Sequence, residues 1–188
     1  MRGCLSGALI AVLLLLVLAG GACYFLTRPS DLSRSLATVP ASTAAAQSFD
    51  NKIATLQAAP TSTATQLAIT EQEATSKLVE TLADDPTAPK IENPQVAFHG
   101  GKVIVSGVSR DAPVPITVVI VGTLAARDGK LVTTVERIDT GRFPLPGPIQ
   151  DQIAGLATNT DQLNEALPIT VDNVQTLEGR LLVTGMPK

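Results

Sequence analysis

Few residues in this chain have types that could do chemistry, and they are scattered. His99 is the only histidine and stands beside Gly100-Gly101. A metal site needs several converging ligands, and no second histidine exists to join it. A lone histidine at a glycine turn is ordinarily a solvated side chain. Asp84-Asp85 precedes Pro86 and reads as a helix terminator, not as a catalytic carboxylate pair. Glu71-Gln72-Glu73 could offer a general base, but Thr70 three places before Glu73 makes a capping box the simpler reading. No G-x-S-x-G nucleophile elbow occurs, and no phosphate-cradling glycine loop with its lysine. Catalysis usually needs a base, an orienting partner and an electrophilic stabiliser in one place. No such set is present, so the expectation is a protein that is not an enzyme, with no cofactor and no metal.

The totals narrow the remaining classes. Fourteen basic against 17 acidic residues give a net charge of −3. That balance lacks the basic stripe of a nucleic-acid binder, so no nucleic-acid partner is expected. Aromatics are only 3% of the chain and tryptophan is absent, so a core must be built from Val, Ile, Leu and Ala. Cys4 and Cys23 would lie ~28 Å apart on one helix and cannot pair with each other. No other cysteine exists, which excludes a disulfide scaffold or a Cys-ligated metal domain.

The elements that must carry these residues are organised around residues 115–140. Two β-rich runs flank Asp128-Gly129, a dipeptide suited to a type I′ turn. With a two-residue loop there, Ala126 faces Leu131, Leu124 faces Thr133 and Gly122 faces Val135. The same register sets Val119 against Ile138 and Val121 against Glu136. Residues 116–121 are apolar on both faces. Such a strand is sandwiched between layers, or has one face on something apolar that is not protein. Smaller hairpins are expected about Gly100-Gly101 and about Glu178-Gly179.

Helical periodicity marks three places. Phe49, Ile53 and Leu56 predict a short amphipathic helix over 45–58. Residues 67–82 hold a helix start with the Thr70–Glu73 capping box, an apolar line through Ala74, Leu78 and Leu82, and a Glu73–Lys77 pair at i, i+4. Ile149, Ile153, Leu156, Thr160, Leu163 and Leu167 form a third stripe, as one helix or two, begun near Pro148 and stopped by Pro168.

At the N-terminus, residues 5–26 are almost wholly apolar and uncharged, ~33 Å of helix against a bilayer core of about 30 Å. A retained anchor is the reading that best fits this length. A cleaved signal, with Gly20 and Ala22 before Cys23, and acylation at Cys23 are the alternatives. The expected organisation is a transmembrane anchor at 1–27, a Ser/Thr/Ala/Pro-rich linker at 28–66, and an α+β domain at 67–188. The expected location is the cell membrane, single-pass, with the C-terminal domain extracytoplasmic.

Ile69-Thr70-Glu71-Gln72-Glu73-Ala74 after a single anchor is similar to the helix start of small bacterial membrane-anchored proteins. The Gly-Lys hairpin turns, the Phe143-Pro144-Leu145-Pro146 break, and Leu163-Asn164-Glu165-Ala166-Leu167-Pro168 before a final hairpin are similar too. Over about 67–186 the chain resembles the YpmS-like and LmeA-like families, related to the tubular lipid-binding (TULIP) folds. That resemblance implies an α+β fold: a curved antiparallel sheet of hairpins on one or two amphipathic helices, with an aliphatic groove for acyl chains. It transfers no defined binding residues. From the aliphatic stripes, the candidate lining is Leu78, Leu82, Val119, Val121, Ile153 and Leu156. The expected function is a module at the lipid bilayer that binds a phospholipid or another apolar ligand. The alternative is a structural or interaction ectodomain for an envelope protein partner, with no ligand cavity.

Overall fold

The computed structural model describes residues 38–60, 63–84, 86, 88, 90–110, 115–141, 164 and 167–188. The expected anchor at 5–26 and nearly all of the third helical stripe lie outside these residues. No helix among those described is long and apolar enough to cross a membrane.

The described chain is α+β, with two helices and two antiparallel sheets. Helix α1 is Thr43–Gln57 and α2 is Glu71–Asp84. The strands are β1 (Thr65–Thr70), β2 (Ile91–His99), β3 (Lys102–Ser109), β4 (Ile116–Arg127), β5 (Lys130–Asp139), β6 (Ile169–Leu177) and β7 (Arg180–Pro187). One sheet has the order β1-β7-β6, the other β2-β3-β4-β5. The expectation of one curved sheet is therefore corrected to two. The first of them depends on a strand that the periodicity had folded into the linker and the following helix. Thr65, Leu67 and Ile69 alternate with Gln66, Ala68 and Thr70, but six residues are too few to stand out from a helical pattern. Their partner β7 lies more than a hundred residues away, pairing Leu67 with Val183 and Ile69 with Leu181.

The hairpins form where the turn dipeptides predict them. Asp128 and Gly129 both take positive φ, 52° and 75°, the conformation a two-residue primed turn requires. Ala126 pairs Leu131, Leu124 pairs Thr133 and Gly122 pairs Val135 as expected. Beyond that the register is corrected: Val121 pairs Arg137 and Val119 pairs Asp139, because a β-bulge leaves Glu136 as an extra residue on β5. Gly122 sits at this irregularity, where an added Cβ would lie 2.8 Å from the Thr134 carbonyl oxygen.

The two sheets share one core. Leu67, Ile69, Ile169, Val171, Leu181 and Val183 come from the three-stranded sheet, and Val96, Phe98 and Leu131 from the other. Helix α1 adds Leu56, with Phe49 and Ile53 packed beside it, so the predicted amphipathic face docks on the protein's own core. Strand β6 lies across the turn end of the four-stranded sheet. At its start, Val171 N–H donates to the Gly129 carbonyl at 2.8 Å. At its far end, the following turn reaches the β2–β3 turn, where Gly179 N–H donates to the Phe98 carbonyl at 3.0 Å.

Candidate functional site

Helix α2 is positioned by its first turn. Thr70 Oγ1 accepts from Glu73 N–H at 3.2 Å and the Glu73 carboxylate accepts from Thr70 N–H at 2.9 Å, which is the capping box the spacing predicts. Glu73 does not pair with Lys77. Its nearly buried carboxylate accepts from Lys52 Nζ at 2.7 Å and from Ser48 Oγ at 2.6 Å, both on α1. Lys77 turns instead to Asp50 and Glu80. Burial by itself would raise the Glu73 carboxyl. The hydrogen bonds from Lys52, Ser48 and the Thr70 backbone outweigh it and bring the carboxyl down to about 2. A carboxylate held this firmly ionised is a poor proton acceptor at neutral pH, so Glu73 fastens two helices and is no general base.

From that start α2 runs along the outer edge of β2. Glu71 accepts from Phe98 N–H at 2.7 Å. Thr75, fully buried, accepts from Val96 N–H at 2.9 Å and donates to the Val96 carbonyl at 3.4 Å. The helix thus supplies the pairing that a neighbouring strand would give. Where it ends, the described lining of an open depression of about 410 Å³ is Val79, Leu82, Ala83, Pro86, Ala88, Lys90, Ile91 and Pro94. This is an apolar concavity of ligand-binding size.

The six candidate lining residues divide into separate places. Leu82 lines this depression, and Leu78, a turn earlier on α2, packs against the shared core. Val119 and Val121 lie on the opposite face of the four-stranded sheet, in a second buried cluster with Ala97 and Ile104. Within 116–121, strand β4 buries Val119 and Val121, while Val118 and Ile120 on the other face are only half-buried, and no described helix joins the second cluster. Ile153 and Leu156 lie outside the described residues. The candidate lining left out Ile91 and Pro94, and also Val79, which the periodicity sets beside the apolar line of α2. The signal available for them was Pro86 and Pro94 bracketing a short return from helix to strand.

The single histidine is exposed at the β2–β3 turn. His99 Nδ1 lies 2.6 Å from Glu178 Oε2, and Glu178 Oε1 accepts from Gly100 N–H at 2.9 Å. Those two contacts, the backbone one foremost, hold the Glu178 carboxyl below its usual range. The pair joins two hairpin turns, and among the described residues no third side chain is hydrogen-bonded to it to form a catalytic set. Among the described residues no three His, Cys, Asp or Glu side chains gather as metal ligands.

A second concavity, about 620 Å³, runs between α1 and the outer edge of β1. It is lined largely by small and uncharged polar side chains, among them Ala44, Ser48, Asn51 and Thr55 of the helix. The chain matches no family model, no curated protein sequence and no solved structure.

Proposed function

We propose that this chain is a membrane-anchored, extracytoplasmic module that binds a lipid or another apolar ligand, in the manner of the tubular lipid-binding proteins. The observation that carries the reading is the depression at the end of α2, where seven of the eight described lining residues are apolar. Each acyl CH₂ buried there would contribute about 0.8 kcal/mol without polar recognition. The apolar run at 5–26 would hold the module beside a bilayer that supplies such ligands. The protein is not an enzyme on this reading, and it needs no cofactor.

The test uses the full chain in membranes with a diazirine-bearing fatty acid, photolysed and mapped by mass spectrometry. Adducts are expected at Val79, Leu82 and Ile91, and Leu82→Arg should reduce them at least tenfold. Adducts confined to residues 5–26, unchanged by Leu82→Arg, would mean that only the anchor meets lipid. A specific observation favours a second reading, a structural or interaction ectodomain for an envelope partner. The cluster of Val119 and Val121 is closed without any ligand, since Val119 is fully buried.

A further inference from the structure

Each sheet has two outer strands, and on each of these four edges at least one outward backbone group meets a partner from elsewhere in the chain. On β2, Thr75 and Glu71 take the outward groups of Val96 and Phe98. On β5, the Asn164 amide accepts from Leu131 N–H at 2.7 Å and donates to the Leu131 carbonyl at 2.8 Å, imitating a paired strand. On β6, the Gly129 carbonyl takes Val171 N–H. Strand β1 differs. Its even-numbered residues turn their backbone groups away from β7: Thr70 N–H goes to Glu73 and the Ala68 carbonyl accepts from Lys52 Nζ at 2.6 Å. Both groups of Gln66 and the N–H of Ala68 face the same way and meet no partner among the described residues. Beside these open groups runs the groove walled by α1.

We infer that the groove between α1 and β1 takes an extended, uncharged segment of another protein, added as a further strand beside β1. Backbone hydrogen bonds to an open strand edge give affinity, and the flanking helix selects side chains. The charge pattern identifies the occupant's chemistry. Among the described residues, Lys52 is the one charged side chain lining the groove, and Glu73 already neutralises it at 2.7 Å. A charged strand would lose its hydration there and find no counter-charge.

Two other occupants fit less well. The preceding part of this chain carries Arg28, Asp31 and Arg34, and it enters the described fold elsewhere, where Val39 N–H donates to the Gln95 side chain of β2. A second copy would bring its own α1 along the same edge, so two helices would have to share one gap. The inference is independent of the lipid reading, which concerns the other end of α2.

The test uses the full chain in detergent micelles and a terminally blocked hexapeptide, Thr-Gln-Leu-Ala-Ile-Thr, which is uncharged and extended but carries no helix. Binding is read by fluorescence anisotropy, and by hydrogen exchange at the Gln66 and Ala68 amides. Saturable binding is expected, with at least tenfold slower exchange at both amides. Ala68→Pro removes an outward donor that the β7 ladder does not use, a position where an edge strand tolerates proline. It should weaken the peptide at least tenfold, with the melting temperature as the control for folding. Thr55→Trp fills the groove from the helix side without touching the sheet and should do the same. The peptide with alternate amides N-methylated should not bind. Absence of binding at millimolar peptide, or wild-type binding by both variants, overturns the inference. So does dimerisation of the chain with Gln66→Cys cross-links between copies, which would give the groove to a second copy.

Discussion

Glu73 shows how much one side chain can hold. It closes the capping box of α2 and receives Lys52 and Ser48 from α1, so one carboxylate fixes both a helix start and a helix pair. Its folded value of about 2 lies below the ordinary 4.5, so the folded state binds this proton less readily than the unfolded one. The stability it confers is complete above about pH 4.5 and is lost as the pH falls toward 2. The shift corresponds to at most about 3 kcal/mol. Glu73→Gln should therefore lower stability at pH 7 by roughly 1–3 kcal/mol. It should also flatten the loss of stability between pH 4.5 and 2, measured by urea denaturation across that range. A variant as acid-sensitive as the parent would assign the transition to other carboxylates. The capping half of this role was legible from Thr70 and Glu73 three residues apart. The Lys52 half was not, because nothing in local spacing says which helix a long cation will reach.

At the scale of elements, α2 substitutes for a strand on the edge of β2. Thr75 is the residue to test, since its hydroxyl is buried and serves both Val96 groups. Thr75→Val keeps the shape and removes the hydroxyl, leaving a buried N–H and carbonyl unpaired. The expected cost is about 1–3 kcal/mol in equilibrium unfolding, with faster exchange of the Val96 amide. Unchanged stability would mean that water or another group takes those positions. The hairpins were readable because Gly100-Gly101, Asp128-Gly129 and Glu178-Gly179 lie between alternating runs. The bulge at Val121/Gly122 was not readable, because a single extra residue leaves the hydrophobic alternation on β4 intact and shifts only its partner. Strand β1 stayed hidden for a different reason. A six-residue strand abutting a strong helix start gains its identity from β7, a non-local pairing that no window of local sequence contains.

At the scale of the whole molecule, the two sheets are fastened to each other through their turns. The β4–β5 turn bonds to the start of β6, and the β6–β7 turn bonds to the β2–β3 turn. Glu178→Ala removes the side-chain part of the second fastening. Hydrogen exchange should quicken at Gly100 and Gly179, while amides at Ile169 and Val183 in the shared core keep their protection. Equal quickening everywhere would show that the contact carries global stability and is not a local tie. The candidate lining was legible only in part, because aliphatic periodicity marks a buried face without saying which of two layers buries it. That ambiguity is why Leu82 and Val119, alike in sequence, belong to separate places.

The same fastening has a mechanical sequel. Both ties lie at the turn end of the four-stranded sheet, while Leu82, Ile91 and Pro94 stand at the opposite rim. On the lipid reading proposed above, an apolar guest would enter past the last turn of α2, because the ties among the described residues lie at the other end.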